Sequence, residues 1–276
     1  MRRSTILIMV LAAASWLTGE AAAQVMVAPA AVFVNDASRF GSYLVLNQSD
    51  TRQEVVVSFR FGYPVADSTG ETRMVYGDTL PVNARSANAW VQAFPRQFTL
   101  EPGQQQLVRI SVRPPANLDP GVFWTRIVTT STPASARVDT LAQGIAANVI
   151  FRLEQVTTLL YKRGSLETRL QLVEPRAVVE DSIVRVFAPL RHSGNAPFFG
   201  KTTVTVFDAE GARVAESTEA FALYVDMTKR FDFSRKTLPP GSYTAEIRVV
   251  AEREDIPREE LFPIEPINRR ITVVVR

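Results

Sequence analysis

The stretch from Phe98 to Val112 constrains this chain more than any other. In Glu101-Pro102-Gly103-Gln104, Pro102 presets φ at the second position of a turn. Gly103 supplies the positive φ that the third position of a type II turn requires. Phe98-Thr99-Leu100 reads as the end of one strand. Beyond the turn, Leu107, Arg109 and Ser111 alternate with Val108, Ile110 and Val112, the period-two pattern of a strand with one buried face. Shortly afterwards Phe123-Trp124-Thr125-Arg126-Ile127 reads as a further strand, on which adjacent Phe123 and Trp124 must point to opposite faces. One ring is therefore core, and the other faces a domain junction or an exposed sheet.

The same style runs through the chain. Short runs rich in Val, Ile, Thr and Phe recur with turn residues between them, and helical patterns are almost missing beyond the N-terminal segment. Strands are expected at Met26–Val34, Ser42–Leu46, Glu54–Phe61, Ala89–Ala93, Gln105–Val112, Val122–Thr130 and Ile145–Tyr161. The polar stretch from Gly62 to Ala87 reads as a long loop with a small hairpin around Met74-Val75-Tyr76, and Lys162 to Ser165 as a linker. Further strands are expected at Ser182–Leu190, Thr202–Phe207, Arg213–Thr218, Thr228–Phe233, Ser242–Ala251 and Arg270–Val275. Leu238-Pro239-Pro240-Gly241 precedes Tyr243 much as Leu100 to Gly103 precedes its own strand. The expectation is an all-β chain of two tandem immunoglobulin-like β-sandwich domains after a cleaved signal peptide: residues 1–23 as signal, 24–164 as the first domain and 165–276 as the second.

Arg2 and Arg3 precede an apolar run from Ile6 to Leu17 and a small-residue site at Ala21-Ala22-Ala23, the layout of a secretory signal. The run falls short of the ~20 residues a membrane-spanning helix needs, so the expected product is exported to the periplasm and does not span the membrane. Cys is absent from the chain, and two domains of this size can bury working cores without cross-links. The formal net charge is +3, with 28 acidic residues interspersed among the basic ones. This is not the basic stripe of a nucleic-acid binder.

Residues for catalysis are sparse, and no enzyme is expected. The lone histidine, His192, sits in Arg191-His192-Ser193-Gly194-Asn195, which reads as a turn rather than as part of a Ser-His-acid triad. One His and no Cys argue against a zinc site, and no Gly-rich phosphate loop opens a helix. No catalytic residue, metal or cofactor is therefore expected. Glu252, Glu254, Asp255, Glu259 and Glu260 cluster near the C-terminus. A carboxylate hydrolase there would need one of them buried with a raised pKa.

The order of several blocks resembles the first domain of periplasmic pilus-assembly chaperones. Ala28-Pro29-Ala30-Ala31-Val32-Phe33 is similar to that family's first strand, Tyr43 to Asn47 to its second, and Phe98 to Ile110 to its Pro-Gly-Gln-x-Gln-x-x-Arg-Ile segment. Val122 to Ile127 resembles the next strand with its Phe-Trp, Thr132-Pro133 the end of that strand, and Ala147 to Tyr161, closing on Leu159-Leu160-Tyr161-Lys162, the client-binding strand. The second half, with Ser193-Gly194-Asn195 and Leu238 to Tyr243, reads as a more general Ig-like or adhesion module.

The resemblance implies a chaperone, without cofactor, that holds a pilin-like or other envelope subunit by donor-strand pairing and hands it to an outer-membrane usher. The pairing edge would be Ala147–Tyr161, with Val149, Phe151, Arg152, Leu153, Val156, Thr158 and Leu160 as candidate contact residues. In the family, a cation on the first strand and another on the last bind the client's terminal carboxylate. Here the first position is Ala31, and Gln155 to Thr158 holds no basic residue, so Arg152, Lys162 and Arg109 are the candidate substitutes. Glu154-Gln155 marks a change in apolar parity that suggests a bulge or bend. The alternative expectation is a structural or adhesive two-module envelope protein without chaperone activity.

Overall fold

The computed structural model describes residues 25–77, 85–134, 138–140, 146–148 and 151–276. In the N-terminal part the strands are β1 (Val25–Ala28), β2 (Ala31–Asn35), β3 (Phe40–Asn47), β4 (Gln53–Arg60), β5 (Gly62–Ala66), β6 (Thr72–Tyr76), β7 (Val91–Phe94), β8 (Gln97–Leu100), β9 (Gln105–Val112), β10 (Gly121–Pro133), β11 (Val138–Thr140), β12 (Ala146–Asn148) and β13 (Leu153–Arg163). They form one sheet in the order β1-β3-β9-β7 and a second in the order β2-β13-β10-β4-β8. Alternate residues of both sheets, among them Tyr43, Val45, Val55, Val57, Val108, Ile110, Phe123, Ile127, Leu159 and Tyr161, pack into one core. That is a β-sandwich.

The Pro-Gly turn joins the two sheets as its residues dictate. Gly103 has φ +74°, and Gln104 N–H donates to the Glu101 carbonyl at 3.0 Å. Asn47, at the end of β3 in the sheet the turn leads into, holds this turn. Its N–H donates to Gln104 O, its carbonyl accepts from Gly103 N–H, and its buried side-chain amide donates to the Leu100 and Thr51 carbonyls at 3.0 and 2.8 Å.

The C-terminal part repeats the architecture with β14 (Thr168–Leu172), β15 (Arg176–Val179), β16 (Ile183–Gly194), β17 (Phe198–Phe207), β18 (Arg213–Leu223), β19 (Met227–Ser234), β20 (Gly241–Val250) and β21 (Ile267–Val275). β16 pairs with β14 and β15 along one side and with β19 along the other, facing a sheet ordered β18-β17-β20-β21. A second core lies between them, around Val186, Leu190, Phe198, Val204, Leu223, Phe231, Ile247 and Val273. Both halves are Ig-like sandwiches. Short 3-10 turns occur at Asn88–Trp90 and Arg258–Glu260.

Three expected strands are corrected. Met26–Val34 divides at Pro29, which has no N–H to give a ladder. β1 stays with β3, whereas β2 crosses to the other sheet and pairs parallel with β13. Arg213–Thr218 extends as far as Leu223, because the whole of β17 is there to pair with it. Ile145–Tyr161 is interrupted as well: Ala146–Asn148 pairs with β11 and pairing resumes only at Leu153. From Leu153 to Arg163 the register against β10 is continuous, so there is no bulge at Glu154-Gln155. This end of β13 is exposed or half-buried rather than enclosed, which relaxes the demand for apolar alternation there.

The expected hairpin around Met74 is a true antiparallel pair, β5 with β6, and it reaches from the first sandwich to the second. Asp67 shapes its tip. Its carboxylate accepts from Thr69 Oγ1 at 2.7 Å and from the N–H groups of Thr69 and Glu71, which holds it below the usual carboxylate range. Thr69 O accepts from Arg230 Nη1 at 3.1 Å, and Thr72 Oγ1 accepts from the buried Lys229 Nζ at 3.2 Å. Lys229 also pairs with Glu219 at 2.6 Å. Gly70, at φ +79°, lies so close that a Cβ there would sit 2.8 Å from Arg230 Cβ. Gly70→Val is therefore expected to lift the hairpin off the second sandwich. Differential scanning calorimetry should show unfolding lowered by roughly 5 °C, and small-angle scattering a larger radius of gyration than the unaltered chain.

Candidate functional site

The second sheet of the first sandwich has an inner face in the core and an outer face turned toward the second sandwich. Side chains alternate, so Phe123, Thr125 and Ile127 of β10 point inward while Val122, Trp124, Arg126 and Val128 point outward. Trp124 is thus the ring at the domain junction and Phe123 the core ring. Trp124 packs with Phe61 and Tyr63 from the hairpin arm, and with Tyr224 of the second sandwich at a centroid distance of 4.6 Å. Phe199 and Phe262 extend the cluster. Each buried aromatic of this kind contributes on the order of 2 kcal/mol.

Arg126, two residues from Trp124 on the same outward face, is a buried junction cation that sequence reasoning missed. Its Nε donates to Gly62 O at 3.0 Å, its Nη1 to Thr158 Oγ1, and its guanidinium lies over the Tyr224 ring. Its Nη2 is buried without a partner. The signal was present in the alternation: once Trp124 is assigned to the junction, Arg126 shares its face.

β13 is an edge strand along only part of its length. β10 pairs with all of it on one side, and β2 covers Thr158 to Lys162 on the other. Thr158 N–H donates to Ala30 O at 3.1 Å, toward the β2 side. By alternation, Val156 and Glu154 turn their backbone N–H and C=O groups to that same side, where β2 no longer runs. Among the described residues no strand pairs with this side from Leu153 to Thr157, which is the open edge.

The candidate contact residues separate on this geometry. Phe151, 66% exposed, and Val156, 45% exposed, stand at the open edge. Leu153 is half-buried on the inward parity. Thr158 is engaged by Arg126, and Leu160 is fully buried in the interdomain cluster, which removes it from any partner's reach. Val149 lies outside the described residues.

The three candidate anchors also differ in position. Arg109 lies on the outer face of the other sheet, opposite Phe94, with the sandwich between it and the cleft. Lys162 is bound to Glu260 of the second sandwich, through both its carboxylate and its carbonyl, and sits against the rings of Phe33 and Phe262. It fixes the domain junction. Arg152 is exposed beside the open edge and pairs with Glu154 at 3.0 Å.

His192 closes β16, where its Nε2–H donates to the Ala196 carbonyl at 2.8 Å and its main-chain N–H donates to Asp226. It lines an interdomain cavity of about 450 Å³ with Arg85, Trp124, Tyr224 and Asp226. In the C-terminal carboxylate cluster, Glu252 pairs with Lys201 at 2.9 Å and Asp255 with Arg253 at 2.6 Å. These hydrogen-bonded cations hold both carboxyls below their usual range, opposite to the shift a general acid requires. Among the described residues no group of three or more His, Asp or Glu side chains is placed to hold a metal ion.

No protein-family model matches the chain, and no curated protein matches it. Solved structures do align with it. The YadV chaperone aligns over 90% of this chain and 100% of its own, at TM-score 0.45 and 12% identity. A structure of Salmonella enterica SafA pilin in complex with the SafB chaperone aligns over 90% of this chain and 96% of its own, at TM-score 0.43 and 13% identity. The CsuC–CsuE chaperone–tip adhesion subunit pre-assembly complex from archaic chaperone-usher Csu pili of Acinetobacter baumannii aligns over 90% and 98%, at TM-score 0.43 and 9% identity.

The His192 environment gives a pH expectation. Burial lowers its pKa below 6.5, opposed by the Ala196 carbonyl and the Asp226 carboxylate. The unfolded chain then binds the proton more readily than the folded one. The resulting stability is present above pH 6.5 and is lost as pH falls through the folded pKa. Melting temperatures followed from neutral to acid pH should decline across that window, and less steeply in His192→Gln.

Proposed function

We propose that this chain is a periplasmic, ATP-independent chaperone-like protein that holds an envelope subunit by strand addition to the open edge of β13. The observation that carries the reading is the stretch Leu153–Thr157, paired on one side by β10 and open on the other, with Phe151 and Val156 exposed beside it. A strand edge left open offers ordered hydrogen-bonding groups to another chain. The secretory layout of residues 1–23 supports the compartment, and the ordered blocks from Ala28 to Lys162 support the resemblance to pilus-assembly chaperones. No helix among the described residues is long and apolar enough to cross a membrane.

On this reading Phe151, Arg152, Glu154 and Val156 meet the partner, and the Lys162–Glu260 pair with the Trp124 cluster holds the two sandwiches at a set angle around it. The partner would be a pilin-like or other envelope protein, with an outer-membrane usher as the next station.

Val156→Pro provides the test. The N–H at this position faces the open side, so proline removes a donor only from the partner's side and leaves the β10 ladder intact. The variant should fold like the unaltered chain by circular dichroism and melting temperature. It should lose the subunit that co-purifies with the unaltered chain from periplasm. If the same subunit is recovered undiminished with Val156→Pro, or none is recovered with the unaltered chain, the strand-addition reading fails. The second outcome leaves the structural or adhesive module as the better account.

A further inference from the structure

The open edge also carries a charge pattern that restricts what a partner strand contains. Across the outward face, Thr158 lies beside Arg126 and Arg60, Val156 beside Val128 and Ser58, and Glu154 beside Thr130 and Val56. Arg60 and Glu154 stand on either side of the Val128 row, so their 2.8 Å ion pair bridges it, and Val128 is only 1% exposed. Arg152 Nη2 donates to the other oxygen of the same carboxylate at 3.0 Å. One carboxylate thus serves two guanidinium groups. With side chains 46%, 66% and 37% exposed for Arg60, Arg152 and Glu154, the group is open to solvent and one positive charge in excess. Val156 and Val56 lie beside it as exposed apolar surface, 45% and 42%.

We propose that the partner strand presents an Asp or Glu side chain beside Glu154, and an apolar side chain two residues away beside Val156. Residues two apart share a strand face, so a single alternating segment meets both features whichever way it runs. β2 occupies the edge from Thr158 onward, so the segment is confined to the stretch alongside Phe151 to Thr157. Its carboxylate joins Arg152 and Arg60, completing a group of two cations and two anions. Such exposed pairs contribute about 1 kcal/mol at most, a factor of about five in affinity. This preference rests on the strand-addition reading, and the test separates the two.

The probes are fluorescein-labelled strand peptides with Val and Glu two residues apart, in both orders, and matched peptides with Gln or Lys in place of Glu. Binding to the whole exported chain is followed by fluorescence anisotropy. The Glu peptides should bind about fivefold tighter than the Gln peptides, and tighter still than the Lys peptides. That advantage should vanish in the Arg60→Gln, Arg152→Gln double variant and at about 1 M salt. Equal affinities for all peptides, with binding abolished by Val156→Pro, would overturn the charge preference and leave strand addition standing. No binding by any peptide, or binding unaffected by Val156→Pro, would overturn both.

Discussion

The carbonyl oxygen of Gly62 accepts two hydrogen bonds on the outward face of β10, from the Trp124 indole at 3.1 Å and from Arg126 Nε at 3.0 Å. Much of the rest depends on it. It seats the start of the β5–β6 arm on the outward face of β10, which places Phe61 and Tyr63 over Trp124 and gives Tyr224 a ring surface to meet. Without that contact Arg126 would have one partner fewer in a buried site where its Nη2 already has none. Each further unmet donor on a buried charge costs stability, so the arm and the arginine are interdependent.

Two cations complete the junction from opposite ends. Lys162 crosses from β13 to Glu260, and Lys229 reaches from β19 to Glu219 and to Thr72 of the arm. Both ammonium groups also lie near aromatic faces, Lys162 by Phe33 and Phe262, Lys229 by Phe221. Pairs in which one member is nearly dry are stronger and more direction-dependent than surface pairs. The two sandwiches are therefore held at both ends as well as by the aromatic cluster between them.

The amount of edge that remains open follows from the first strand. Because Pro29 ends β1 and β2 moves to the other sheet, half of β13 is covered by the chain itself. A strand that looked available from Ala147 to Tyr161 is available from Leu153 to Thr157. Alternation made the pairing strand, the Phe-Trp split and the Pro-Gly turn legible, since each rests on local geometry: two-residue periodicity, or the φ that a Pro or Gly permits. It could not show that Leu160 is dry. Leu160 has the same sequence pattern as Val156, and only the approach of Phe33, Phe199 and Phe262 separates them.

The same limit applied to charges. Arg109, Arg152 and Lys162 are equivalent as letters in strands, yet one faces solvent across the sandwich, one stands at the open edge, and one is tied to Glu260. Which cation reaches which carboxylate depends on distances between residues 98 positions apart for Lys162 and Glu260, and 94 apart for Arg60 and Glu154. By itself the sequence determined an all-β chain of two sandwiches with a type II turn at Pro102-Gly103, because strand alternation and backbone φ are properties of neighbouring residues. Only the tertiary structure decided which half of β13 is open, that Arg126 lies in the junction and that the β5–β6 arm joins the domains. Those outcomes depend on burial and ion pairing between segments that meet only after folding.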